Sequence, residues 1–225
     1  MSNIVQHVAK EIEIKFHLAS LADYSRFAAH ISARHRQLKA QHQTNTFFDT
    51  KGFDLEKKRI GLRLREIREG SDVRFVCTMK VPIQGVSTMA GGVQRHHEIE
   101  FDATNETAAT MLAMPSAVPS ILIGGAPAEA RELAAQVFGS VDEDTMECTG
   151  SFTNYRRTFL WHDMALELDE TTFPGNHVAY EIEVETTDPD TTMTLLQADL
   201  AASGAESQPS TASKLGRFRQ YQREQ

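Results

Sequence analysis

The chain has 225 residues, and its 31 acidic residues outnumber its 23 basic ones, so the formal net charge is −8 at pH 7. This balance argues against a general binder of nucleic acids or anionic membranes. Two cysteines cannot form a disulfide framework, and no apolar stretch approaches the length of a membrane span. We therefore expect a cytoplasmic protein without a secretory signal and without a nucleic acid or a membrane as partner.

Alternation of charged and apolar residues predicts most of the secondary structure, because successive side chains of a strand point to opposite faces. We predict strands at residues 10–18, 43–50, 60–68, 73–81, 94–101, 150–161, 164–169 and 178–185. Helical spacing or composition predicts helices at residues 20–34, 105–113, 128–138, 189–202 and within 214–225. Residues 82–93 and 204–213 are predicted to be loops, and Pro115, Pro119 and Gly124-Gly125 to break the region between two of the helices.

The first strand shows the pattern that recurs along the chain. Glu11, Glu13 and Lys15 share one face, whereas Ile12 and Ile14 share the other. The same alternation returns in Leu62-Arg63-Leu64-Arg65, Thr78-Met79-Lys80, Glu98-Ile99-Glu100, Glu167-Leu168-Asp169 and Glu181-Ile182-Glu183-Val184-Glu185. Two of these segments are purely basic and three purely acidic, whereas a merely solvated sheet face would more often mix the two signs.

These strands predict an α+β fold in which an eight-stranded antiparallel sheet closes into a barrel, with helices packed outside. We expect one domain over residues 1–225, with a helical insert at 102–147. The apolar faces would pack outward against the helices, and the charged faces would point into the lumen. Such a lumen is stable only if it is wet, holds ions and pairs its charges.

The charged faces suit phosphate and metal chemistry. Carboxylates two residues apart on a strand, as in Glu11/Glu13 and Glu181/Glu183, could converge on magnesium or manganese, which prefer hard oxygen ligands. Fixed positive donors that suit phosphate oxygens come from Arg63, Arg65, Lys80, Arg156 and Lys214. This division of labour suits phosphoryl transfer. In the alternative interpretation, the opposite charges only pair with each other across strands.

An ordered set of motifs carries a resemblance to a known family. Glu11-x-Glu13-x-Lys15 resembles the ExExK signature of the CYTH superfamily, the triphosphate tunnel metalloenzymes, and the likeness runs from about residue 10 to 218. The remaining motifs, in the family's order, are Phe47-Phe48-Asp49, Leu62-Arg63-Leu64-Arg65, Thr78-Met79-Lys80, Arg95-x-x-Glu98-x-Glu100, Arg156, the segment 166–171, the segment 180–183 and Ser213-Lys214. The segments LELDET and YEIE look most like plant tripolyphosphatases and animal thiamine triphosphatases.

The resemblance implies hydrolysis of a linear triphosphate, inorganic tripolyphosphate or thiamine triphosphate, with Mg²⁺ or Mn²⁺. It implies a metal site formed by Glu11, Glu13, Asp169, Glu181 and Glu183. It implies that Glu11, with Glu98 or Glu100, orients the attacking water, while Lys15 shapes the charge near the reacting phosphorus. It implies phosphate contacts from Arg63, Arg65, Lys80, Arg156 and Lys214. We expect a monomer or homodimer whose partner is the small-molecule triphosphate.

Two other functions stay open at this point. A class IV adenylate cyclase would use the same tunnel, although the LELDET segment points away from it. A non-catalytic module that binds polyphosphate or nucleotides would need the cations but not so many carboxylates.

Overall fold

The computed structural model describes residues 10–83 and 89–224. Its strands are β1 (Lys10–Leu18), β2 (Arg36–Thr50), β3 (Gly61–Glu69), β4 (Asp72–Pro82), β5 (Met89–Ala90), β6 (Val93–Ala103), β7 (Met146–Trp161), β8 (Met164–Phe173), β9 (His177–Glu185) and β10 (Ser207–Pro209). Its α-helices are α1 (Leu21–Ser32), α2 (Asp54–Lys57), α3 (Asn105–Ala113), α4 (Val118–Gly125), α5 (Arg131–Phe138), α6 (Pro189–Ser203) and α7 (Lys214–Arg223). All eight predicted strands are present.

The sheet order confirms the predicted closed barrel. The strands follow the order β10-β1-β9-β8-β7-β2-β3-β4-β6-β5, and β1 also pairs with β6. That pairing closes the eight long strands into an antiparallel ring, while the short strands β5 and β10 pair outside it. The α+β prediction with helices around the barrel is confirmed with it.

The contacts between residues divide the described chain into two compact units. Within the described ranges, the first unit draws on residues 10, 44–83 and 96–151, and the second on residues 11–43, 89–95 and 152–224. The prediction of a single domain over residues 1–225 stays a prediction.

In the first unit, the apolar faces of β3, β4 and β6 pack against α3, α4 and α5. The buried residues include Leu62, Leu64, Cys77, Met79 and Ile99, as the alternation predicts. Full burial of one such aliphatic side chain stabilises the fold by about 1.5–3 kcal/mol, so this face holds the unit together.

Helix α4 departs from the prediction that prolines and glycines break this region. Pro119 lies in its first turn, where a missing N–H costs nothing. Gly125 lies at its end, where a Cβ atom would come within 2.3 Å of the Phe101 ring. Both residues therefore serve the helix and its packing instead of interrupting it.

In the second unit, α1 and α6 cover the apolar faces of β1, β7, β8 and β9. Phe27 and Ile31 of α1 and Leu196 of α6 join Ile14 and Ile182 of the strands in one buried cluster. Residues 204–213, predicted to be a loose loop, contain β10, which pairs with Phe16–Leu18 of β1. The loop predicted at 82–93 contains β5, and residues 84–88 of it lie outside the described residues. No helix in the described ranges is long and apolar enough to cross a membrane.

Candidate active site

A cluster of carboxylates lies on the charged faces of three neighbouring strands in the second unit. This acidic cluster consists of Glu13 of β1, Asp169 of β8, and Glu181 and Glu183 of β9. The register gathers them, because β9 lies between β1 and β8 and Asp169 pairs directly with Glu181. All four side chains are buried, and Asp169 and Glu181 have 0% exposure. Ionised carboxylates can be buried this deeply only beside cations.

Lys15 and Arg156 supply two of those cations from the strands. Lys15 Nζ lies 2.7 Å from Glu183 Oε1 and 3.4 Å from Glu13 Oε1. Arg156 of β7 donates two hydrogen bonds to Asp169, from Nε at 2.8 Å and from Nη2 at 2.6 Å. Its Nη2 also donates to Glu183 Oε2 at 2.7 Å. The guanidinium therefore binds one carboxylate in the two-pronged geometry that fixes both groups.

Helix α7 supplies two more cations from the C-terminal segment. The Ser213 hydroxyl accepts a hydrogen bond from Gly216 N and so caps the start of the helix. Lys214 Nζ lies 2.7 Å from Asp169 Oδ2 and also contacts Glu183. Arg217, one turn later, reaches Glu181 Oε1 with Nη2 at 2.5 Å. The spacing of three residues places both side chains on one helix face.

These cations keep the buried carboxyls ionised. Burial alone would raise the pKa of Glu183, but Lys15, Lys214 and Arg156 hold it well below its usual range. Burial likewise opposes ionisation of Asp169, yet Arg156 and Lys214 lower its pKa to about 2. In turn, burial would lower the pKa of Lys15, whereas the surrounding carboxylates raise it overall. These buried carboxylates and cations therefore each stay charged because the oppositely charged groups lie beside them.

The acidic cluster has the donor chemistry to hold Mg²⁺ or Mn²⁺. Its ligand atoms are carboxylate oxygens, which these ions prefer. Neither oxygen of Glu181 makes a hydrogen bond of good geometry with the described residues, although Lys214 Nζ lies 3.2 Å from one and Arg217 approaches the other. The oxygens of Glu181 therefore keep buried lone pairs that could coordinate a metal ion. The residues of the acidic cluster fit a divalent ion.

The first unit carries a separate group of cations. This basic cluster consists of Arg63 and Arg65 of β3 and Lys80 of β4, all half-buried on one face. Arg63 pairs in register with Thr78, two residues from Lys80 on the same strand face. Arg65 Nε donates to Asn45 Oδ1 at 3.1 Å. Guanidinium and ammonium groups held in a row in this way match successive phosphate oxygens.

Two predicted water-orienting residues lie beside the basic cluster. Glu98 of β6 pairs in register with Lys80, and its Oε2 lies 3.2 Å from Lys80 Nζ. Glu100, which is exposed, accepts a hydrogen bond from Thr78 Oγ1 at 3.0 Å. Glu11 belongs to the second unit and is half-buried, two residues before Glu13 on the same face of β1.

The structure thus gathers one subset of the predicted site residues in the second unit, namely Glu13, Lys15, Arg156, Asp169, Glu181, Glu183 and Lys214. It places another subset in the first unit, namely Arg63, Arg65, Lys80, Glu98 and Glu100. The chemical roles predicted for all these residues stay predictions.

Two charged residues of the acidic cluster's surroundings escaped the sequence prediction. Glu167 contacts Arg156 Nη1, and Arg217 contacts Glu181. Each had a signal: Glu167 precedes Asp169 by two residues on the same strand face, and Arg217 follows Lys214 by three on a predicted helix.

The chain is similar to several known proteins. A family model described as CYTH domain matches residues 9–218. HpAC1 from Hippeastrum, a proposed adenylyl cyclase described as having a dominant triphosphatase activity, is 31% identical over 93% of this chain and 95% of its own, with a TM-score of 0.80. A comparison with curated proteins found no match.

Two more distant structures share the fold. A proposed adenylate cyclase from Bacillus halodurans is 22% identical over 93% of this chain and 98% of its own, with a TM-score of 0.66. The PH1819 protein from Pyrococcus horikoshii is 16% identical over the same shares, with a TM-score of 0.59.

Proposed function

Because this chain belongs to the CYTH domain family, whose enzymes act on triphosphates, we propose that it hydrolyses a linear triphosphate and releases orthophosphate. The proposed substrates are inorganic tripolyphosphate and thiamine triphosphate, and the proposed setting is the cytoplasm. The observation that carries the proposal is the acidic cluster, in which lysine and arginine hold the buried carboxylates of Asp169 and Glu183 ionised. The triphosphatase activity described for HpAC1 supports it.

The acidic cluster is the proposed metal site. Glu13, Asp169, Glu181 and Glu183, with Glu11 beside them on β1, would hold Mg²⁺ or Mn²⁺. Bound there, a divalent ion would neutralise phosphate oxygens and stabilise the charge that develops on them during transfer. The protein's own contribution is to fix these oxygens in advance, which the register of β1, β9 and β8 does.

The cations of the acidic cluster have a second partner in this proposal. Arg156 and Lys214 bind the carboxylates of Asp169 and Glu183. A phosphate oxygen is an equivalent anion for these two cations. A bound triphosphate would therefore replace the carboxylates as their partner, and a bound metal would replace the cations as the partner of the carboxylates. Arg63, Arg65 and Lys80 would bind further phosphate oxygens in the same way.

The attacking water needs an acceptor and a position in line with the breaking bond. We assign this role to Glu11 together with Glu98 or Glu100. Lys15, whose pKa the buried carboxylates raise, stays positively charged and would stabilise negative charge near the reacting phosphorus.

The descriptions of two relatives favour a second candidate, an adenylate cyclase. A cyclase must bring a ribose 3′-hydroxyl to the α-phosphate, so its products are cyclic AMP and pyrophosphate. A hydrolase needs only a water at a terminal phosphate. A non-catalytic phosphate-binding module has less support, because phosphate binding gives no reason to bury four carboxylates together.

The proposal is tested by phosphate release from tripolyphosphate, thiamine triphosphate and ATP, measured side by side with Mg²⁺ or Mn²⁺. We expect tripolyphosphate or thiamine triphosphate to react much faster than ATP, and a chelator to abolish the reaction. Failure to release phosphate from any of the three with either metal would overturn the proposal.

A further inference from the structure

A second group of metal-ligating side chains lies on the other side of the strands of the second unit. His35 lies between α1 and β2, His162 at the turn between β7 and β8, and Asp199 on α6. One ligand atom of each residue lies within 4.8 Å of one atom of each of the other two. The two imidazole rings are 5.6 Å apart between centroids. Nothing in the proposed triphosphate chemistry uses these residues.

The carboxylate of this group is held by two donors. His30 Nε2 donates to Asp199 Oδ1 at 2.8 Å, and the Trp161 indole N–H donates to Oδ2 at 2.7 Å. Burial would raise the pKa of Asp199, but these hydrogen bonds lower it, so the group is an anion at neutral pH. Each of its oxygens has lone pairs beyond the one bond it accepts. Proteins commonly orient a metal-binding carboxylate with such outer hydrogen bonds.

The two histidines differ in exposure and therefore in how freely their side chains can move. His35 is half-buried, while His162 is exposed and stands edge-on to Trp161, with ring centroids 4.8 Å apart. His162 and Asp163 form the turn with φ values of 46° and 61°, a conformation that asparagine or glycine adopts more readily. Ligand atoms around zinc lie about 3.3 Å apart when each is about 2.0 Å from the ion, so the three side chains would have to come closer together. The exposed imidazole of His162 can rotate toward its partners to allow this.

We propose that His35, His162 and Asp199 bind a divalent transition-metal ion, with zinc as the ion that fits best. Two imidazoles and one carboxylate are a ligand set typical of zinc and related ions, whereas magnesium prefers oxygen alone. The bound ion would tie the start of β2 to the β7–β8 turn and to α6 within the second unit. The site is distinct from the acidic cluster and does not depend on the proposed hydrolysis.

The single tryptophan of the chain reports on this site. Trp161 is the only tryptophan, and it contacts both Asp199 and His162. We therefore propose to titrate the chelator-treated protein with Ni²⁺ alone, whose paramagnetism quenches nearby indole fluorescence, and then to displace it with Zn²⁺. The wild type should show one saturable quenching step that Zn²⁺ reverses, and Zn²⁺ should raise its melting temperature.

Two substitutions decide where the ion binds. His162→Asn keeps a residue suited to the turn, and His35→Gln keeps a polar side chain, so each removes one ligand with little else. Each should weaken metal binding about tenfold or more. The matched control His177→Asn changes an exposed histidine elsewhere in the same unit and should leave the titration unchanged. Circular dichroism and the melting temperature without metal show whether each variant is folded.

Glu181→Gln separates this site from the acidic cluster. If the quenching survives Glu181→Gln and is weakened by either histidine substitution, the proposal holds. Quenching that both folded histidine variants retain, or that only Glu181→Gln removes, would overturn it. An absence of saturable quenching in the wild type would also overturn it.

Discussion

The two charged clusters differ in how deeply their side chains are buried and in how completely their charges are paired. The acidic cluster of the second unit is buried, and each of its carboxylates has a cation of the same unit within 4 Å. The basic cluster of the first unit is half-buried, and Lys80 keeps 30% of its side chain exposed beside Glu98. The first arrangement is dense and mutually neutralised, while the second keeps partial contact with solvent.

This difference follows from what each cluster would have to bind. A small divalent ion demands several oxygens fixed at short range, which the protein can only supply by burying carboxylates and balancing them with fixed cations. A polyphosphate is itself charged and hydrated. Partly exposed guanidinium and ammonium groups can therefore bind it while both partners lose less of their hydration. Substitutions in the two clusters should therefore have effects of different size and kind.

The largest effect is expected from Glu181→Gln in the acidic cluster. The substitution keeps the shape but removes the negative charge and replaces one of the two carboxylate oxygens of a proposed metal ligand with an amide nitrogen, so phosphate release should fall about a thousandfold or more, or about 4 kcal/mol. The assay is orthophosphate release from tripolyphosphate at saturating Mg²⁺. Glu206→Gln, an exposed residue of the same unit, is the control and should react as the wild type does. Near wild-type turnover by Glu181→Gln would remove it from the mechanism.

A smaller effect is expected from Lys80→Met and Arg63→Gln in the basic cluster. Each change removes one charged contact to phosphate, typically about 1.5–3 kcal/mol, so kcat/KM should drop roughly ten- to a hundredfold. Added salt should weaken substrate capture by the wild type and do so less in Lys80→Met, because screening acts on the charge that the variant lacks. Lys57→Met, with a side chain 67% exposed in the same unit, is the matched control. Equal salt dependence in all variants would argue against phosphate binding by Lys80.

Ligand binding should stabilise the protein most when both clusters are intact. At 100 times its dissociation constant, tripolyphosphate with Mg²⁺ should add about 2.7 kcal/mol to the free energy of unfolding. Thermal unfolding with and without the ligands measures this for the wild type, Lys80→Met and Glu181→Gln at one fixed ligand concentration. We expect a smaller rise in melting temperature in Lys80→Met and the smallest in Glu181→Gln. A wild-type melting temperature indifferent to tripolyphosphate would contradict triphosphate binding.

The smallest expected effect concerns the apolar side of the first unit and leaves activity untouched. Burial raises the pKa of the Cys77 thiol to about 12, so at pH 8 only about one in ten thousand such groups is the reactive thiolate. Cys148 is exposed. A disulfide reagent should therefore modify one thiol of the folded protein and two after denaturation, as absorbance of the released thiolate shows. Rapid reaction of both thiols in the folded state would mean that the apolar face of β4 is not packed as described.

Much of the fold was readable from periodicity, because a period of two survives wherever one strand face is charged and the other apolar. β1, β3 and β4 follow this pattern closely. The prediction failed at α4 and β10, where local residue preferences gave the wrong answer. Gly125 lies in α4 because the Phe101 ring leaves no room for a side chain, and β10 forms because its backbone pairs with β1. Both causes are tertiary contacts, which a single sequence does not display.

The acidic cluster was also predictable only in part from the sequence. Alternation assigns Glu13, Asp169, Glu181 and Glu183 to charged faces, but only the register shows that Arg156 binds Asp169. Arg217 was missed because a residue inside a short terminal helix carries no strand pattern, and its contact with Glu181 depends on where α7 lies.

This protein is proposed to direct water to a triphosphate. Chromatography of a reaction with ATP, Mg²⁺ and enzyme, run beside one with tripolyphosphate, tests it most directly. We predict orthophosphate from tripolyphosphate, slower orthophosphate release from ATP, and no cyclic AMP in either. Substantial cyclic AMP with an equal amount of pyrophosphate from ATP would contradict the hydrolase and identify a cyclase instead.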